Sequence, residues 1–194
     1  MIPLKYGNTN TYFVNGLLID ADMPETLSAF FRALGDNGIK LSDIRYVLAT
    51  HWHPDHIGLI GELTNRGVKL LLPERQMPFV HSSDALFRRN PHCPFVPVDE
   101  SEATVISMPE SRAFLRSVGI SGELIPTESH SPDGIALLLD DGHCFVGDLE
   151  PFSFLEGYAD HPLLKTDWER ILSHAPSVIH SGHYNDVILP GANR

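Results

Sequence analysis

The chain has 194 residues, 42% of them hydrophobic and 20% charged, enough for one domain with a real core. Its formal net charge of -11 disfavours a nucleic-acid partner, because phosphates repel an acidic surface and Arg88-Arg89 is the one small basic pair. No apolar run approaches the roughly 20 residues that cross a bilayer, and the opening MIPLKYGNTNTYF lacks a signal-peptide pattern; the expectation is a cytoplasmic protein acting on a small molecule, with no membrane partner.

In chain order, TYFVN and GLLIDAD predict two strands around a turn at Asn15-Gly16. Pro24 opens a helix with Leu27, Phe30, Phe31 and Leu34 on one stripe, and Gly35 suits its end. Residues 44–50 form a continuous apolar strand. A short helix follows through Leu59 to Leu63, then a strand over 68–73. Residues 74–90 are helical but irregular, and the Pro-rich stretch 91–100 is loop.

Phe114, Leu115 and Val118 mark a short helix closed by Gly119. GELIPTE, GIALLLDD and HCFVGDL are three strands, the last two joined at Asp141-Gly142. Thr166 and Glu169 form a capping-box pattern before Trp168, Ile171, Leu172 and Ala175. SVIHSGH is a final strand. Strands that are apolar throughout are buried on both faces, with helices outside. Cys93 and Cys144 make no CxxC pair and are too few for a disulfide framework; both read as small packed thiols.

The chain has 11 histidines, and they are not evenly spread. In Thr50-His51-Trp52-His53-Pro54-Asp55-His56, four metal-ligating side chains follow directly on an apolar strand. Residues two apart on an extended segment point the same way, so His51 and His53 face one side. One ion takes three or four ligands, so this cluster can supply parts of two sites. His130, Asp148 and His183 each stand just beyond another apolar strand. Strand ends are where ligands converge in layered folds.

HWHPDH resembles the HxHxDH signature of the metallo-β-lactamase fold superfamily. SHSPDG resembles its third-histidine loop, VGDLEP its bridging-aspartate loop, HSGHY its last-histidine loop and NTYFVNGLLIDAD its opening hairpin, so the likeness spans essentially the whole chain. The resemblance implies an α/β fold, a four-layer αβ/βα sandwich of two mixed β-sheets flanked by helices, in a single domain over 1–194. It implies two zinc-class ions, with iron or manganese compatible. His51, His53 and His130 would hold the first, Asp55, His56 and His183 the second, and Asp148 would bridge both. Asp20 would be a structural aspartate under the site. Two cations about 4 Å apart sharing one water lower its pKa toward about 7, giving a bridging hydroxide that Asp55 can orient. Two departures stand out. Asp22 occupies a position where the family usually has glycine, as a surface carboxylate or a gate, and HSPDG replaces the commoner HTPGS.

The resemblance favours hydrolysis of a carboxylic ester, thioester or lactone, on the glyoxalase and lactonase side of the family. Alternatives are an iron oxygenase of persulfide dioxygenase type and a phosphodiesterase. No cysteine falls at a ligand position, unlike some β-lactamases, and His53 stands where flavo-diiron proteins have glutamate. With residues 184–194 alone following His183, the expectation is that the helical extension with which glyoxalase II grips glutathione is missing. Tyr184 could donate to an oxyanion or a leaving group. His180 faces either the site or the core, and His81, His92, His143, His161 and His174 are surface or loop histidines. Phe95, Phe152, Phe154, Leu155 and Tyr158 predict a partly apolar pocket in loops near the site.

Overall fold

A computed structural model of the chain describes residues 1–155, 157 and 161–189. Its internal contacts divide it into two compact units, Met1–Ser107 and from Met108 onward, and each is built on one sheet.

The first unit begins with β1 (Ile2–Leu4), β2 (Thr11–Val14) and β3 (Leu17–Ile19). β2 and β3 pair antiparallel with Val14 opposite Leu17. Asn15 (φ 44°) and Gly16 (φ 87°) supply the two left-handed residues that a tight hairpin turn requires. A 3-10 turn at Pro24–Thr26 leads into α1 (Leu27–Asp36), which buries Phe30, Ala33 and Leu34. The helix does not stop at Gly35: it continues to Asp36, and Gly38, at φ 68°, makes the reversal. Then come β4 (Tyr46–Leu48), α2 (Pro54–Ile57), α3 (Ile60–Asn65), β5 (Lys69–Pro73), α4 (Asp84–Phe87) and β6 (Thr104–Ile106).

The six strands lie in the order β1-β2-β3-β4-β5-β6. β3, β4, β5 and β6 are parallel neighbours, so their C-terminal ends share one edge of the sheet. Asp20, Thr50 and Glu74 each follow immediately or closely after one of these ends. The core is continuous from Leu18, Val47 and Leu72 in the sheet to Phe30, Leu34, Ile60 and Leu63 in the helices. Burying each such side chain contributes about 1.5–3 kcal/mol.

The second unit runs α5 (Ser111–Ser117), β7 (Gly122–Pro126), β8 (Ile135–Leu139), β9 (His143–Phe145), α6 (Pro162–Leu172), β10 (Val178–His180) and β11 (Val187–Ile188). The sheet order is β11-β10-β9-β8-β7. β7 and β9 are both antiparallel to β8, and β10 is parallel to β9. β7, β9 and β10 therefore run the same way and end on one edge. Trp168 and Ile171 of α6 pack with Ala136, Leu138 and Ile179 of this sheet and with Val146 just after β9.

The two mixed sheets with helices match the expected α/β class. Three local expectations are corrected. β1, β6 and β11 are short edge strands of two or three residues, below the length at which alternation is visible. β10 is consequently not the last strand. α6 starts at Pro162 rather than near Thr166. Its cap is His161, whose Nδ1 accepts the Leu164 N–H at 3.3 Å, while the Thr166 hydroxyl donates to the Pro162 carbonyl inside the helix.

Candidate metal centre

In the first unit the HWHPDH segment leaves β4 and enters α2. Its shape is fixed from below. Asp20, 2% exposed at the end of β3, accepts the Thr50 N–H (2.7 Å) and the Thr50 hydroxyl (2.9 Å), and its Oδ2 lies 2.9 Å from Nδ1 of His56. A carboxylate there holds the imidazole proton on Nδ1 and leaves the lone pair of His56 on Nε2. The same logic extends to His51. Its Nδ1 lies 3.2 Å from the Thr50 hydroxyl oxygen, whose own proton goes to Asp20. The rings of His51 and His53 meet edge to face with centroids 4.4 Å apart, and those of His51 and His56 are 4.1 Å apart. Asp55, on the first turn of α2, brings Oδ2 within 3.8 Å of His56 Nε2.

Gln76, fully buried just after β5, clamps the segment from the other side. Its amide donates to the carbonyls of Ala49 (3.1 Å) and Thr50 (3.3 Å) and accepts from Trp52 Nε1 (3.3 Å). Ser83 adds a bond from its hydroxyl to the Trp52 carbonyl at 2.8 Å. Neither residue is apparent from sequence, because a glutamine and a serine in an irregular stretch carry no periodic signal. Asp22 is not a surface carboxylate. It is fully buried, and burial pushes its pKa up.

In the second unit, His130 follows β7, Asp148 follows β9 and His183 follows β10, on the shared edge derived above. Asp148 Oδ2 lies 3.3 Å from His183 Nε2 and 3.8 Å from His130 Nε2. The Gly182 N–H donates to the Gly147 carbonyl at 2.7 Å, tying the Asp148 loop to the His183 loop. Buried Asp167 of α6 accepts the N–H groups of Glu128 and Ser129, both at 2.8 Å, and so anchors the His130 loop. Inside that loop the Ser131 hydroxyl donates to Asp133, which sets the HSPDG turn.

The seven expected donors thus fall into two sets. His51, His53, Asp55 and His56 stand together in one unit, and His130, Asp148 and His183 in the other. All are imidazoles or carboxylates, the donor types that suit zinc, iron and manganese.

The family model described as the metallo-beta-lactamase superfamily matches residues 4–183. This chain belongs to that superfamily. Proteins of the metallo-beta-lactamase superfamily bind metals, and clustered histidine and aspartate side chains of the ligating kind are present here. Among curated relatives, the beta-lactamase-like protein 2 homolog of Drosophila melanogaster is 26% identical over 94% of this chain and 60% of its own length. The atrochrysone carboxyl ACP thioesterase of Aspergillus fumigatus is 31% identical over 72% of this chain and 29% of its own. The probable metallo-hydrolase YflN of Bacillus subtilis is 28% identical over 71% and 58%. The chain spans about a third to three fifths of these relatives.

Among solved structures, TTHA1623 in a di-iron-bound form is 24% identical with a TM-score of 0.68, covering 97% of this chain and 94% of that one. A metallo-beta-lactamase of Cronobacter sakazakii carrying a mutated HARLDQ motif is 20% identical with a TM-score of 0.63, covering 93% and 76%. At these identities the metallo-beta-lactamase fold is what is shared.

The remaining expected residues fall as follows. Tyr184 is 44% exposed, and its ring meets Phe154 edge to face at 6.3 Å. His180 packs in the second unit, stacked on Phe145 (4.7 Å) and 2.9 Å from Asp186 through Nδ1. His143 is not a free loop histidine: it lies in β9 with Nδ1 2.8 Å from His180 Nε2. Cys144 is buried and its thiol is pushed far above the usual range, so it is inert packing; Cys93 is half-buried. An apolar cavity of about 130 Å³ is lined by Val146, Leu149, Phe152, Trp168, Ile179 and Tyr184, among others. Of the aromatics expected around a pocket, Phe152 lines it and Phe154 meets Tyr184. Phe95 instead stacks on Phe87 in the first unit, Leu155 packs on the core of the second, and Tyr158 lies outside the described residues. No described helix is long and apolar enough to cross a membrane.

Proposed function

We propose that this protein is a binuclear metal-dependent hydrolase that cleaves a carboxylic ester, thioester or lactone. His51, His53 and His130 would hold one ion and Asp55, His56 and His183 the other, with Asp148 as a further carboxylate ligand. The observation that carries the reading is the arrangement of Asp20 and Thr50 beneath His51 and His56. It sets both imidazoles with Nδ1 toward buried oxygens, the hydrogen-bonded second layer that ligating histidines need. Relatives named as a thioesterase and a metallo-hydrolase support hydrolysis.

When bound, the ions supply Lewis acidity and an activated water at neutral pH. The chain's own groups do the rest. Asp55 accepts a hydrogen bond from the attacking water and orients it. Tyr184 offers a phenol O–H to the oxygen on which charge develops. The apolar cavity beside Tyr184 receives the carbon skeleton of the acyl group and excludes water from it. Zinc is the metal we assign, although the di-iron-bound neighbour shows that this fold also accepts iron. The substrate is a small molecule and the setting cytoplasmic.

The test is turnover of a panel of thioesters, lactones and phosphodiesters by the purified protein, before and after chelation. Thioester or lactone hydrolysis lost to the chelator and restored by zinc is the expected result. Activity on phosphodiesters alone, or oxygen uptake with one iron per chain, would replace this reading.

A further inference from the structure

Asp22 has a conformation and an environment that a glycine at this position would not explain. Its φ is +35°, a backbone geometry that glycine adopts at little cost and a side chain does not. The side chain kept there is fully buried, and its carboxylate is surrounded by backbone donors. Oδ1 accepts the Met23 N–H at 2.6 Å, and Oδ2 accepts the Thr9 N–H at 3.3 Å. The Asn8 N–H also donates to it. Gly7 completes the wrap: a Cβ there would fall 1.5 Å from Asp22 Oδ2, so only glycine lets the chain pass this close. The segment between β1 and β2 is thus moulded onto one carboxylate.

That segment reaches the HWHPDH motif through Thr9. Thr9 is 2% exposed, and its hydroxyl donates to Oδ2 of Asp55 at 3.3 Å. The same oxygen faces His56 Nε2 at 3.8 Å. Asp55 projects from the first turn of a four-residue helix, and rotation of its carboxylate is limited by what Oδ2 meets.

We infer that Asp22 is a positioning residue that acts through Thr9: it pins the Gly7–Asn10 segment so that the Thr9 hydroxyl fixes the Asp55 carboxylate in its ligating orientation. The inference rests on the reading of Asp55 as a ligand. It accounts for a buried carboxylate, a tolerated positive φ and a sterically required glycine with one arrangement. Burial raises the pKa of Asp22, and the charge of Asp55 raises it further; the backbone donors act the other way and hold the carboxylate in place.

The test measures zinc affinity by competition with a chromophoric chelator, using the full chain and these variants: Thr9→Val, Thr9→Ser, Asp22→Ala, the Asp22→Ala/Thr9→Val double and Asp55→Ala. Melting temperatures are taken on the metal-free proteins. Loss of an outer partner of a ligand weakens metal affinity about 10–100-fold. The weaker-bound zinc is expected to be released at least tenfold more readily from Thr9→Val, which keeps the shape of threonine, while Thr9→Ser binds as the parent does. The double variant should be no weaker than Asp22→Ala alone, because both remove the same link. Parent-like affinity in Thr9→Val, or losses that multiply in the double variant, overturns the inference. Should Asp22→Ala fail to fold, the Thr9→Val and Thr9→Ser pair decides. Unchanged affinity in Asp55→Ala overturns the ligand reading and the inference with it. A loss in Asp55→Ala with none in Thr9→Val overturns the inference alone.

Discussion

Asp20→Asn separates packing from metal preparation. The native carboxylate accepts from the Thr50 N–H (2.7 Å) and the Thr50 hydroxyl (2.9 Å), and lies 2.9 Å from His56 Nδ1. Asparagine has nearly the same shape but one acceptor oxygen. If that oxygen keeps the Thr50 N–H, the new NH₂ faces the Thr50 hydroxyl and His56 Nδ1, both of which need an acceptor there. His56 can relieve the conflict by carrying its proton on Nε2, which occupies the lone pair an ion would use. Disturbing a buried hydrogen bond costs about 1–3 kcal/mol, so the metal-free variant should lose about 2 kcal/mol. Zinc affinity should fall about 10–100-fold. Urea unfolding of chelator-treated protein measures the first, and a zinc competition titration the second. Nitrogen NMR of the imidazole should report the changed tautomer. Parent-like zinc affinity in Asp20→Asn would refute the tautomer argument, whatever the stability change.

Gln76→Ala should destabilise the metal-free protein by about 2 kcal/mol, since it strips a fully buried amide from two carbonyls and an indole N–H; thermal unfolding checks this. If the cavity lined by Val146, Trp168, Ile179 and Tyr184 holds the acyl group, kcat/KM should rise with acyl length. At about 0.8 kcal/mol per buried methylene, the rise is about fourfold per carbon until the space is filled. Val187→Trp, which intrudes on the lining, should flatten the series. His180 sets a pH dependence. Burial holds its pKa below the usual 6.5, against the opposing pull of Asp186 and Asp141, with His143 lowering it further. Between the folded and unfolded values the unfolded chain binds more protons, so this contribution is full above pH 6.5 and is lost as pH falls through the folded value. The drop in urea midpoint between pH 7.5 and 5.5 should therefore be smaller in His180→Phe than in the parent, and equal drops would contradict it.

The strand-end placement of the expected donors was legible because the apolar runs before His51, His130, Asp148 and His183 mark those ends plainly. The Asn15-Gly16 turn was legible for a similar reason, as two left-handed residues leave few choices. What was hidden depends on contacts distant in sequence. Asp167 holds the His130 loop from 38 and 39 residues away, and Gln76 holds Ala49 across 27. Periodicity carries no trace of such bonds. The capping-box pattern at Thr166 and Glu169 misled because Pro162 and the His161 ring start the helix a turn earlier. Asp22 was visible as an exception only, and its burial and donors explain it.

The proposal of two ions on seven side chains meets its most direct test in anomalous diffraction from crystals grown with zinc. The account predicts two peaks. One lies about 2.0–2.1 Å from nitrogens of His51, His53 and His130, and the other lies within coordination distance of Asp55, His56 and His183, with Asp148 reaching both. A single peak, or strong zinc peaks away from these residues with none among them, would contradict it.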